Sequence, residues 1–189
     1  ADSDGADPVG YTDTSIAMGS LISSADPSRV LVSKGSIWSY LDDATDQGTA
    51  WRAASFDDSS WSTGAAELGF TEGDEATLIQ SGATTYYFRH DFSVADLGDV
   101  SALTLNLKRD DGAIVYLNGT EIARDGLAAG TIGAGDYAEN ASDDGNNFHV
   151  FTVDKSLLLA SDATPTTESL IARSATWSYL DDGTDQGTA

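Results

Sequence analysis

The sequence predicts an all-β domain, a sandwich of short strands. Three observations predict it. Apolar and polar residues alternate in short runs, the signature of strands with one face buried. Gly, Asp, Asn and Ser interrupt these runs about every ten residues, as turns between sandwich strands do. Sustained helical periodicity is absent. A chain of 189 residues supports one good core with flanking segments.

The elements follow in order. Residues 1–28 are small, polar and acidic, with one apolar patch around Ile16 to Ile22, and read as a linker with room for one strand. RVLVS (Arg29–Ser33) leads into IWSYLDDATDQGTAW (Ile37–Trp51), where Trp38 lies in an apolar strand pattern and is expected in the core. TTYYFRHDFSV (Thr84–Val94) alternates, so Tyr86, Phe88 and Phe92 are expected to face inward together with His90. LTLNLKR (Leu103–Arg109) places Leu103, Leu105 and Leu107 on one face. Asp110-Asp111-Gly112 then reads as a tight hairpin turn into AIVYLNG (Ala113–Gly119). Asn118-Gly119 signals a second hairpin, feeding EIAR (Glu121–Arg124). FHVFTV (Phe148–Val153) is the last strong strand.

A repeat sets the organisation. Trp38–Ala50 and Trp177–Ala189 differ at one position, Ala44 against Gly183, and start 139 residues apart. RVLVSKGSIW and ESLIARSATW align upstream of the two tryptophans. Solenoid repeats run to roughly 20–50 residues, so a period this long indicates separate domains in tandem. The expected division is an acidic linker at 1–28, a repeat unit at 29–167, and the start of a next unit at 168–189, a segment available for strand exchange.

Composition excludes some functions. Nine Lys and Arg stand against 31 Asp and Glu, a formal net charge of -22. Such a surface repels nucleic acid and anionic lipid, because phosphate binding needs clustered cations. Solvated loops, calcium sites and adaptation to a salty medium all account for the excess of Asp. Cysteine is absent, so there is neither a disulfide framework nor a thiol nucleophile. No apolar run approaches the roughly 20 residues of a membrane-spanning helix, so membrane insertion is not expected. The chain holds no G-x-S-x-G elbow, no H-E-x-x-H and no phosphate-cradling glycine loop. Carboxylates are so numerous that no pair stands out as the two of a glycosidase.

FDDSSW (Phe56–Trp61) and RDDGAIVYLNGTEIAR (Arg109–Arg124) resemble the galactose-binding-like jelly-roll domains of secreted bacterial multi-domain proteins. They are also similar to the sugar-binding-like domain of many glycoside hydrolases. The resemblance covers most of Trp38 to about Leu159 and implies a jelly-roll β-sandwich. It says little about function, since such sandwiches host many roles. The chain departs from the pattern after the Phe148–Leu158 region. A closing apolar strand is expected there, and LLLASDATPTTESLIARSATW passes directly into the repeat instead.

The candidate site residues follow from these readings. Asp110 and Asp111 resemble an Asp-Asp pair that ligates calcium in related adhesin and lectin sandwiches; a capped turn is the competing reading. Asp42, Asp43 and Asp46, with Gln47, crowd three carboxylates into five residues and suit calcium or a solvated turn. Asp2, Asp4 and Asp7 in DSDGAD, and Asp143, Asp144 and Asn146 in SDDGNN, carry the same ambiguity. Trp51 and Trp61 are candidates for stacking on sugar rings, against the alternative of packing. His90 and His149 lack a second ligand spaced beside them and read as structural.

These readings lead to a non-catalytic, extracellular or cell-surface module of a tandem-repeat protein. Its expected partners are neighbouring repeats, copies of itself and polysaccharide, with calcium as the expected ion. The alternative is a carbohydrate-binding module attached to a polysaccharide-active enzyme.

Overall fold

The computed structural model describes residues 15–23, 29–70, 73–94, 97, 100–139, 141–143 and 145–158. The described residues form strands and two single-turn 3-10 helices, at Ala50–Arg52 and Lys155–Leu157. The early strands are β1 (Ser15–Ser23), β2 (Arg29–Ser33), β3 (Ile37–Leu41), β4 (Ser62–Ala65), β5 (Leu68–Gly69), β6 (Thr77–Leu78) and β7 (Tyr87–Arg89). The later ones are β8 (Leu103–Asp110), β9 (Ala113–Leu117), β10 (Thr120–Asp125) and β11 (His149–Val153). The all-β expectation matches this content. The sheets are small: one of six strands, one of three and one of two.

β8 organises the largest sheet. One edge pairs with β11 over five residues, and the other pairs with β1 from Ser15↔Asp110 to Ser23↔Leu103. β1 therefore lies inside the sheet although the sequence places it in an acidic linker, and β2 and β5 pair with its far edge. Leu103, Leu105 and Leu107 are fully buried, as their alternation requires. They join Val32 of β2, Val153 of β11, and Ala113, Leu117 and Ala123 of the two-stranded sheet in one apolar cluster. Burying a Leu side chain contributes roughly 1.5–3 kcal/mol, so this row is a main anchor of the core.

The three-stranded sheet has the order β4-β3-β7. A second cluster, Ala66, Leu68, Phe70 and Ile79, packs beside it. Trp38 on β3 packs against both clusters, in keeping with the core role expected for it.

Two strand expectations are corrected. The Thr84–Val94 run forms a strand only at Tyr87–Arg89, and the buried aromatic there is Tyr87, 5% exposed, rather than Tyr86 or Phe88. Both faces of β7 are covered. Tyr86 and Phe88 pack on the second cluster, while Tyr87 meets Trp51 and Trp61, so alternation does not single out one face. Asp110-Asp111-Gly112 is not a hairpin turn either. Both edges of β8 are taken by β1 and β11, so β9 crosses to another sheet and pairs with β10.

The expected hairpin at Asn118-Gly119 is present. Both residues have positive φ, 50° and 83°, and join β9 to β10. Paired left-handed residues match the right-handed twist of the flanking strands. The calcium candidates Asp2, Asp4, Asp7 and Asp144, and the expected strand-exchange segment at 168–189, lie outside the described residues.

Candidate functional site

Arg89 on β7 anchors the turn that carries Trp51. Its Nη1 donates to the carbonyl oxygens of Trp51 and Ala53, its Nε lies 3.4 Å from Asp58 Oδ2, and its guanidinium covers the Phe56 ring. The FDDSSW turn is tied down in the same place. Asp57 Oδ1 accepts from the Ser59 N–H at 3.0 Å, and the Trp61 N–H donates to the Asp58 carbonyl at 2.9 Å. Trp61 is 8% exposed, with Phe56 at 5.6 Å and Tyr87 at 6.3 Å between ring centroids. A stacking platform needs an open ring face, and Trp61 is packed.

Trp51 sits differently. It is half-buried in the turn Ala50–Arg52, edge-on to Tyr87 at 5.2 Å and to Tyr116 at 5.7 Å. The Arg52 guanidinium lies 4.3 Å from the centre of the Tyr116 ring, a cation–π arrangement. Trp51 Nε1 is buried and has no hydrogen-bond partner among the described residues, the state in which a buried donor costs most.

These groups line a cleft of about 470 Å³, bounded also by Asp46, Tyr86, Glu121 and Arg124. Arg124 grips Glu121 with two hydrogen bonds of 2.8 Å, and this pairing holds the Glu121 carboxyl below its usual range. Burial pushes the Tyr87 hydroxyl up, and the nearby Asp46 charge adds to it, so the group is a neutral donor and acceptor at ordinary pH. A cleft with aromatic edges, a stacked guanidinium and an ion-paired carboxylate can bind a polyhydroxylated ligand by stacking and by hydrogen bonds at the rim.

The acidic candidates are placed apart from this cleft or turned to protein partners. Asp42 Oδ2 accepts from the Gln80 N–H at 2.8 Å. Asp43 Oδ1 accepts from the Thr45 N–H and hydroxyl at 3.0 and 2.6 Å, which holds its carboxyl below the usual range. Asp46 Oδ1 accepts from the Gly48 N–H at 2.7 Å and, more weakly, from the Tyr87 hydroxyl at 3.4 Å. Asp43 and Asp46 thus close local turns, and Asp42 ties the loop to Gln80.

Asp110 is buried against Gly145, and Asp111 Oδ1 accepts from the Ala141 N–H at 3.0 Å. Two acidic stretches separate in sequence, Asp110-Asp111 and the loop holding Asp143, therefore meet. A protein cation, Arg109, bridges Asp125 and Asp143 there. Arg109 Nη2 lies 2.6 Å from Asp125 Oδ2, its Nη1 lies 2.8 Å from Asp143 Oδ1, and His149 Nε2 is 3.0 Å from Asp143 Oδ2. Burial pushes the Asp143 carboxyl up, but hydrogen bonds from Arg109 and His149 and the Arg109 charge outweigh it and hold the group at about 2. Among the described residues no three His, Asp or Glu side chains converge as a metal site. His90 Nδ1 lies 2.8 Å from the Ile37 carbonyl oxygen and its ring packs on Trp38, a structural placement.

No family model matches this chain, and neither a curated protein nor a solved structure does. The site therefore stands on its own geometry. Arg52, Tyr116, Glu121 and Arg124 were not among the candidates drawn from sequence. Arg52 adjoins Trp51, and Tyr116 shares a face of β9 with Ile114, but neither signal tells which sheet faces which.

Proposed function

We propose that the chain is a non-catalytic, extracellular module of a tandem-repeat secreted or cell-surface protein. In this reading it is a galactose-binding-like jelly roll with a spacing and adhesive role, and its partners are neighbouring repeats or copies of itself. The observation that carries the reading is the duplication of Trp38–Ala50 at Trp177–Ala189, a sequence that recurs after 139 residues. A period of that length supports domains that each own a core. A chain bearing the unit twice in succession tests the reading. Small-angle scattering should give two bodies spanning about twice the single length, and melting should keep the single-unit midpoint. One merged body with a new midpoint would sink it.

The cleft favours a second reading, a carbohydrate-binding module of a polysaccharide-active enzyme. The observation behind it is Trp51, half-buried at the cleft wall with an unsatisfied Nε1. Affinity-gel retardation by neutral and acidic polysaccharides separates the two. Weak retardation by several polymers fits adhesion, whereas strong retardation by one fits the dedicated module.

A further inference from the structure

The slot occupied by β3 matches two segments of the chain. We propose that Thr176–Thr188 of one molecule enters the β3 slot of a second copy, pairing between its β4 and β7 and displacing the resident strand. This rests on the repeat reading only in treating the two segments as equivalent.

β3 is the middle strand of its sheet. Ser39 stands opposite Thr63 of β4 on one side and Arg89 of β7 on the other. Backbone pairing is indifferent to which chain supplies the strand, so side chains decide. Those that anchor the resident segment all recur 139 residues later. Trp38, packed on His90 at 4.9 Å, has its counterpart in Trp177. Asp42, bound to the Gln80 N–H, corresponds to Asp181, and Asp46, bound to Tyr87, corresponds to Asp185.

Between Ile37–Ala50 and Thr176–Ala189 two positions differ, and both favour the incoming strand. Ala44 has φ +62°, a left-handed conformation that strains an L-residue with a Cβ, and its counterpart is Gly183. Ile37 is 59% exposed, and its counterpart is Thr176, a good strand former that tolerates water. The resident copy carries a local strain and an exposed apolar side chain that the second copy lacks.

The absence of cysteine makes the test direct. Ser178 corresponds to Ser39, so full-length Ser178→Cys is mixed with full-length Thr63→Cys under mild oxidation. Opposed residues on antiparallel strands lie within disulfide reach. A mixed disulfide between the two chains is expected, well above that from a control donor, Ser169→Cys, whose counterpart Val30 lies in β2. Ala44→Gly in the acceptor, or Gly183→Ala in the donor, should each lower the yield roughly fivefold, the factor for about 1 kcal/mol. A mixed yield no higher than the control overturns the proposal. So does a disulfide that forms only within a single chain carrying both cysteines. Either failure leaves polysaccharide retardation and the two-unit scattering result untouched.

Discussion

Lys108 Nζ lies 2.7 Å from Glu67 Oε1, and the two side chains are 10% and 8% exposed. The pair sits where β8 turns from its leucine row to charged residues, and a second oxygen of Glu67 lies 2.8 Å away. Two charges taken out of water hold because each satisfies the other, with Asp74 Oδ2 a further 3.5 Å contact of Lys108 Nζ.

Removing one partner should therefore cost far more than removing both. Lys108→Met is expected to destabilise by about 3–5 kcal/mol, while Lys108→Met with Glu67→Leu should recover most of it. Urea unfolding of the single and double variants checks this. A double-variant loss equal to the sum of the Lys108→Met and Glu67→Leu losses would mean that the charges act independently.

Acid should loosen the Arg109 network before general unfolding. Asp143 is held at about 2, below the usual value of 3.8, so its ionisation stabilises the fold. That stability is present above the unfolded value and is lost as pH falls through the folded one. Unfolding free energy should drop between about pH 4 and pH 2. In Asp143→Asn that part of the slope should vanish. An unchanged slope would place the acid sensitivity elsewhere.

The two tryptophans should separate stability from binding. Trp61→Ala empties a packed site beside Phe56 and Tyr87 and is expected to cost about 3–5 kcal/mol. Trp51→Ala should cost less and should abolish retardation in polysaccharide gels. The reverse pattern would move the binding surface away from the cleft.

Ala44→Gly should stabilise the fold. The left-handed conformation at φ +62° costs a residue with a Cβ about 1–2 kcal/mol. Relief of part of that strain should raise the melting temperature by about 2–4 °C, as calorimetry would record. A lower midpoint would mean that the unfolded chain gains more freedom from glycine than the turn gains ease.

Sequence legibility followed how locally each feature is determined. Leu103, Leu105 and Leu107 were readable because one face of β8 meets the core, and Asn118-Gly119 because its turn needs no distant partner. Tyr87 escaped because β7 is apolar on both sides. The Asp110-Asp111 corner looked like a hairpin because nothing nearby in sequence reveals that β1 and β11 already hold both edges of β8. Trp51 and Trp61 are the same residue type ten positions apart, and only their tertiary neighbours tell platform from packing. Asp143 looked like part of a cation loop, and a cation does face it, but Arg109 is 34 residues away in the chain.

The placement of β1 bears on mechanics. β1 and β11 flank β8 and run in the same direction, since each is antiparallel to it. The start of β1 lies beside Asp110, at one end of β8, and the end of β11 lies beside Leu103, at the other. Tension drawn between Ser15 and Val153 would then run lengthwise along β8. Its ladder bonds would be loaded together in shear and would have to fail nearly at once, rather than opening one by one like a zip.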